Sequence, residues 1–188
     1  MSLTLGSIWN KPNNNNIKRT PINPKPVITN VLIKKNPERY DNKSYWGTPT
    51  WYLFHGIAAN INENFYNKNA SIILDFIKKV CSNLPCPYCR SHAVNYMANI
   101  YLINLQTREK FELMLFEFHN SVNRRIGKAI FQKERLKKYK TMSMVRCFNL
   151  FQSKFFKSYY GDRTFSYWVR KKFEDYFLVF SKQIIKYF

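Results

Sequence analysis

The stretch Leu84-Pro85-Cys86-Pro87-Tyr88-Cys89-Arg90-Ser91-His92 holds two cysteines with two residues between them, one proline ahead of the pair and another inside it. The fixed φ of proline suits the first position of a helix. Pro87 therefore predicts a helix start, with Cys86 as N-cap and Cys89 in the first turn. A thiol in that place faces unsatisfied backbone N–H groups and the positive end of the helix dipole, which lowers its pKa and makes the thiolate available near neutral pH. The pair reads as a redox disulfide. Two other readings stand beside it. His92 would be a third ligand if the pair were half of a zinc site, but a closed site needs a fourth, and Cys81, Cys147 and His119 belong to no second close pair. A thioredoxin-like site would sit between a strand and a helix, and no β pattern surrounds this one. On spacing alone redox chemistry ranks slightly ahead of zinc, with two unremarkable buried cysteines third.

Composition narrows the fold around that stretch. The chain has 188 residues, room for one domain with a small appendage, and 45% are apolar, enough for a real core. Aromatics reach 18% while only 5 residues are glycine, which favours packed helices over a turn-rich β protein. The first residues lack the basic-then-apolar pattern of a signal peptide, and no apolar run has the length of a membrane span. The expectation is a soluble intracellular protein, where a redox pair is catalytic rather than structural. The formal charge of +20 is uneven: residues 1–44 carry 8 basic and 2 acidic side chains, residues 45–131 carry 9 and 5, and residues 132–188 carry 14 and 4. Such flanks attract nucleic acid, anionic lipid or acidic proteins, or simply keep an aromatic-rich surface soluble.

Residues 1–44, with the run Asn13 to Asn16 and five prolines, cannot bury enough apolar surface to offset ordering entropy and read as a disordered basic arm. Val27 to Ile33 is at most a short strand or docking peptide. Thr48 as N-cap and Pro49 as first residue predict a helix to about Asn62, with Trp51 and His55 one turn apart on it. A second helix, Asn69 to Asn83, carries the stripe Ile72, Ile73, Phe76, Ile77, Val80 and Leu84, with Cys81 beside it. The redox helix then runs to about Ile100, with Cys89, His92 and Tyr96 on one side. Thr107 caps a helix to about Ile126 with the stripe Phe111, Leu115, Phe118, Val122 and Ile126, and Gly127 closes it. Beside that stripe His119, Asn120 and Asn123 crowd a core-bordering face; buried there, each needs a hydrogen-bonding partner, which a nucleotide would provide.

Three motifs, Trp46-Gly47-x-x-Thr50-Trp51-x-x-x-His55, Pro85-Cys86-x-x-Cys89 and His119-Asn120-x-Val122-Asn123-x-x-Ile126-Gly127-Lys128, stand in an order and at separations that resemble the Erv/ALR-type sulfhydryl oxidases, in particular those encoded by large DNA viruses. The resemblance covers residues 45–131. It implies an all-α fold, a four-helix bundle with a short fifth helix holding FAD in its mouth, between the Trp51 and His119 helices. Trp51 and His55 would line the flavin, with Gly47 and Thr48 at its mouth. His119, Asn120 and Asn123 would contact adenine and ribose, Lys128 the phosphates or ribose, and Phe131 would stack on the adenine. Arg124 and Arg125 would add charge for the pyrophosphate or be a solvated helix end, the second reading ranking first. The implied chemistry takes electrons from substrate thiols to Cys86, the outer sulfur, through Cys89 to FAD and on to oxygen, giving hydrogen peroxide. The implied partners are thiol-bearing proteins, reached directly or through a separate dithiol relay protein, since no second cysteine pair stands in the arm or tail. A homodimer is expected, in host cytoplasm, viral factory or virion.

Residues 132–188 lie beyond the resemblance. Val145, Phe148, Phe151, Phe155 and Tyr159, then after Gly161-Asp162 Phe165, Val169, Phe173, Tyr176, Phe180, Ile184 and Tyr187, predict a basic helical hairpin whose aromatic face is buried on the bundle or in a dimer interface. Single-stranded nucleic acid would also suit such a face, but packing ranks well above it. The rival to the oxidase is a non-enzymatic, zinc-bound helical module with nucleic-acid-binding flanks.

Overall fold

The computed structural model describes residues 43–159 and 166–188, all within one compact unit. The arm up to residue 42, the break at Gly161-Asp162 and Phe165 lie outside the described residues. Six α-helices follow one another: α1 (Lys43–Asn60), α2 (Glu63–Ser82), α3 (Pro87–Ala98), α4 (Arg108–Arg125), α5 (Met144–Phe155) and α6 (Tyr167–Ile184). Among the described residues all regular structure is helical, as the composition predicts. The four helices α1–α4 form the bundle; a 3₁₀ segment, Lys133–Thr141, beyond the span of the resemblance, packs against α1, and α5 and α6 are the expected hairpin.

Local chemistry accounts for most boundaries. Cys86 caps α3 with Pro87 as first residue, Thr107 caps α4 through its hydroxyl, and Gly127 ends α4 with φ +68°, a conformation that costs glycine little. Asn62 caps α2, so that helix begins earlier than Asn69, which instead marks a kink with non-helical φ/ψ. The predicted start of α1 at Thr48 is corrected: the helix begins at Lys43 and runs through Pro49. Pro49 has no N–H to give the Tyr45 carbonyl. The turns before it are held by tertiary packing, because Trp46 is buried with its ring edge-on to Phe155, and the Thr50 hydroxyl donates to the Trp46 carbonyl at 2.8 Å. Four stripe positions, Ile72, Ile126, Val145 and Val169, prove exposed, while Phe177, off the expected stripe, is buried.

The tail shares the core of the bundle. α5 lies along α1, where Gly56 permits the approach: a Cβ there would sit 2.9 Å from Met144 Sδ. α6 runs beside α2, and Phe180 stacks on the fully buried Phe76 with centroids 3.8 Å apart and planes within 4°. The aromatic face of the hairpin is therefore covered within the chain. On the other side of α2, the buried Tyr66 hydroxyl donates to the Leu105 carbonyl at 2.7 Å, tying α2 to the α3–α4 connection, and burial raises its pKa to about 12. Tyr66→Phe should cost about 1–2 kcal/mol in urea unfolding, since it leaves that carbonyl without its buried donor.

Candidate functional site

The redox turn is built as its prolines direct. Cys86 has extended φ −90° and ψ 116°, and its Sγ accepts the Cys89 backbone N–H at 3.3 Å. Cys89 is therefore set in the first turn of α3, near the positive end of its dipole. Two arginines hold the turn by its carbonyls: Arg90 donates to Leu84 at 3.2 Å, and Arg125, from the end of α4, donates to Tyr88 at 2.8 Å. Arg125 thus bonds the peptide between the two cysteines.

Cys89 forms part of the wall of a cavity of about 660 Å³ between α1, α3, α4 and the segment after α4. That size falls within the roughly 300–1,000 Å³ usual for small-molecule and cofactor sites. Trp51, Phe118 and Phe131 supply flat apolar faces, and Arg125, Lys128, Arg135 and Lys138 supply positive charge. Flat faces suit a planar ring system, and the cations suit phosphates. Cys86 is 7% exposed and is not a lining residue, so of the two cysteines only Cys89 lines the cavity.

Along the wall the rings form a column. Trp51 and His119 stack face to face at 3.9 Å and 6°, and His119 lies 4.5 Å from Phe131 at 15°. With Trp51 and His119 in contact, no ring system fits between those two side chains; a flat ligand would stack on the column from the cavity. His55 lies deeper, its Nε2 2.9 Å from His119 Nδ1, and its own Nδ1 is buried with no hydrogen-bond partner. Either tautomer of the shared bond leaves that nitrogen unpaired. Burial, then the nearby His119 and Lys138, hold the His55 pKa down to about 3; burial, then Lys138 and Lys128, hold His119 at about 4. Both rings are neutral near pH 7.

Of the expected residues, Gly47, Thr48, Trp51, Cys89, His119, Asn123, Lys128 and Phe131 line the cavity, whereas Cys86, His55 and Asn120 do not. The polar cluster on α4 finds partners within the chain. Asn120 donates to the Phe131 carbonyl at 3.1 Å and accepts the Phe131 N–H at 2.8 Å, while Asn123 donates to the Ala129 carbonyl at 3.2 Å. The two asparagines fasten the loop after Gly127, so their burial alone does not call for a nucleotide. His55 supports His119 from behind.

Sequence reasoning missed the 3₁₀ segment. Arg135, Lys138 and Tyr139 line the cavity, and Lys138 Nζ lies 4.8 Å from the Tyr139 ring centroid and 5.8 Å from that of Phe131. The run Lys133-Glu134-Arg135-Leu136-Lys137-Lys138-Tyr139 looks like a solvated basic stretch. Its one signal is the Leu136–Tyr139 spacing of three, the period of a 3₁₀ face, and both are buried. Arg124, the other cation considered for a pyrophosphate, is exposed and not on the cavity wall.

Among the described residues no cluster of three or more His, Cys, Asp or Glu side chains is placed to hold a metal ion, and no helix is long and apolar enough to cross a membrane. Comparison with known proteins agrees with the geometry. A 90-residue stretch is 37% identical to the FAD-linked sulfhydryl oxidase of African swine fever virus (isolate Pig/Kenya/KEN-50/1950), covering 46% of this chain and 71% of that one. Protein 096R of Invertebrate iridescent virus 3, which also carries a sulfhydryl-oxidase name, is 31% identical over 98 residues, 48% of this chain and 66% of its own length. Protein 347L of Invertebrate iridescent virus 6 is 34% identical over 95 residues, 45% of this chain and 82% of its own. No solved structure matches the chain. The model of the Erv1 / Alr family matches residues 48–142, half of the chain and the part that builds both the redox turn and the cavity wall; the chain belongs to the Erv1 / Alr family.

Proposed function

We propose that the protein is an FAD-linked thiol oxidase that forms disulfides in protein substrates. The observation that carries this reading is the placement of Cys89 on the wall of an aromatic, cation-bearing cavity while Cys86 stays outside it. The residues fit the cofactor: flat faces on Trp51 and Phe131, and cations at Lys128, Arg135 and Lys138. When bound, the flavin supplies a two-electron acceptor and passes the pair to molecular oxygen, giving hydrogen peroxide.

The chain's own part is thiol chemistry. A substrate thiolate attacks Cys86 Sγ, the Cys86–Cys89 bond breaks, and Cys89 leaves as a thiolate stabilised by the N-terminus of α3. A second substrate thiol resolves the mixed disulfide, so the substrate gains a disulfide and both cysteines end reduced. Arg125 holds the turn in register through the Tyr88 carbonyl and puts a positive charge beside His92, whose pKa is lowered by burial and then by that charge. The neutral His55–His119 pair props the ring column without adding charge behind it.

Substrates are thiol-bearing proteins, reached directly or through a separate dithiol relay protein, because the other two described cysteines, Cys81 and Cys147, are buried and form no second close pair. A homodimer would use surface other than the faces of α1 and α2 that α5 and α6 cover. The setting in keeping with the viral relatives is host cytoplasm, viral factory or virion. Purified protein should be yellow, and dithiothreitol in the absence of air should bleach it; a colourless protein that takes up no added FAD would refute the assignment.

A further inference from the structure

We propose that the C-terminal helices brace the Cys86–Cys89 turn, with Tyr159 as the positioning residue that holds it from outside the bundle. The proposal rests on the reading of that pair as redox active, and it assigns a role to a part of the chain beyond the family match, which ends at residue 142.

Two of the three residues after Leu84 are prolines, which have no N–H to donate, and carbonyls of the segment are bonded from other parts of the chain. Three of these are bonded by long side chains: Asn83 by the Tyr159 hydroxyl, Leu84 by Arg90 and Tyr88 by Arg125. Arg90 belongs to α3 itself and Arg125 to the bundle; Tyr159 alone comes from the tail. Asn83 is also the C-cap of α2, three residues ahead of Cys86, so its carbonyl marks where the helix ends and the redox turn begins.

Tyr159 is itself held firmly. It is 2% exposed, its ring lies edge-on to Phe155 at 5.6 Å, and its backbone carbonyl accepts from Arg170 of α6 at 2.8 Å. From there α6 follows α2 back to its beginning. Tyr176 lies under Lys79 at 5.9 Å, Phe180 stacks on Phe76, and Tyr187 stacks on Phe65 at 3.7 Å while its carbonyl accepts the Asn62 N–H at 2.8 Å. The tail is thus fixed to both ends of α2, the helix that runs into the Cys86 turn. Loss of the phenol bond would let the end of α2 and the turn open locally, exposing Cys86 and altering the geometry that sets the thiol–disulfide equilibrium of the pair.

The test uses the full chain, reduced with dithiothreitol and freed of it, with modification of each cysteine by N-ethylmaleimide followed by mass spectrometry. Tyr159→Phe keeps the ring and removes only the hydroxyl. It should raise the modification rate of Cys86 about fivefold, while the buried Cys81 and Cys147 keep wild-type rates. Arg170→Gln, from a partly exposed side chain, should act in the same direction, and the equilibrium of the pair with glutathione should move in both variants. Wild-type Cys86 rates and equilibrium in both variants would overturn the brace. So would a rise at Cys81 and Cys147 in step with Cys86, which would make Tyr159 a general stabiliser. Oxygen uptake by the wild-type protein is scored separately, since its absence refutes the oxidase reading and leaves the cysteine rates to judge the brace.

Discussion

Cys89→Ser should bind FAD and consume no oxygen with dithiothreitol as electron donor, a loss of ~10³-fold or more in turnover. Retention of the cofactor follows from what the substitution leaves alone. It exchanges one sulfur for oxygen in a wall built mainly from Trp51, Phe118, Phe131 and the cations, and the Cys89 backbone N–H that Cys86 Sγ accepts is unchanged. Loss of turnover follows from electron accounting. Without a second sulfur Cys86 is a lone thiol, and no internal disulfide exists for a substrate thiolate to attack, so no electron pair enters the chain. Flavin absorbance in the purified variant and an oxygen electrode give both readouts. Oxygen consumption near the wild-type rate would remove Cys89 from the path.

The second large effect is on stability in mild acid. An unfolded histidine takes up its proton near pH 6.5, whereas His55 and His119 in the native protein resist it until about pH 3 and about pH 4. Above pH 6.5 neither state binds these protons, and the native fold keeps its full stability. As pH falls below 6.5 the unfolded chain takes up two protons that the native one refuses, so stability drops by up to about 1.4 kcal/mol per pH unit for each histidine. At pH 5 the pair together should have cost about 4 kcal/mol, before carboxylates begin to titrate. Urea unfolding of cofactor-free protein at pH 7 and pH 5 measures this. In His55→Gln the loss between those values should fall to about half. An equal loss in both proteins would place the acid sensitivity elsewhere.

The elements were legible where local rules and tertiary demands agree. Pro87 after Cys86, Thr107 before Arg108 and Gly127 after α4 each satisfy a helix end by their own chemistry, and the structure follows them. At Thr48-Pro49 local chemistry offers an equally good start, but Trp46 is needed against Phe155, more than a hundred residues later, and that long-range contact keeps the earlier turns helical. The exposed Ile72 and Val145 show the same limit: helical spacing identifies a stripe but not its width. At the site, the cysteine pair and the Trp51 and His119 rings stand out by their own types and spacing, and Cys89, Trp51 and His119 share one cavity wall. The asparagines are ambiguous in the sequence because a buried amide is satisfied equally well by a ligand or by a loop; the coordinates show bonds from both to the Phe131 and Ala129 peptides, with Asn123 also on the cavity wall. Lys138 and Tyr139 were missed because a lysine-rich 3₁₀ segment has the composition of a solvated surface.

The stacking of Phe180 on Phe76 bears on any attempt to study the family-matched half in isolation. Similarity stops at residue 142, yet cooperative folding does not, since excision there would turn two sides of the bundle from interior into wetted surface. A chain cut there would bare that apolar surface and should self-associate, which sedimentation would show.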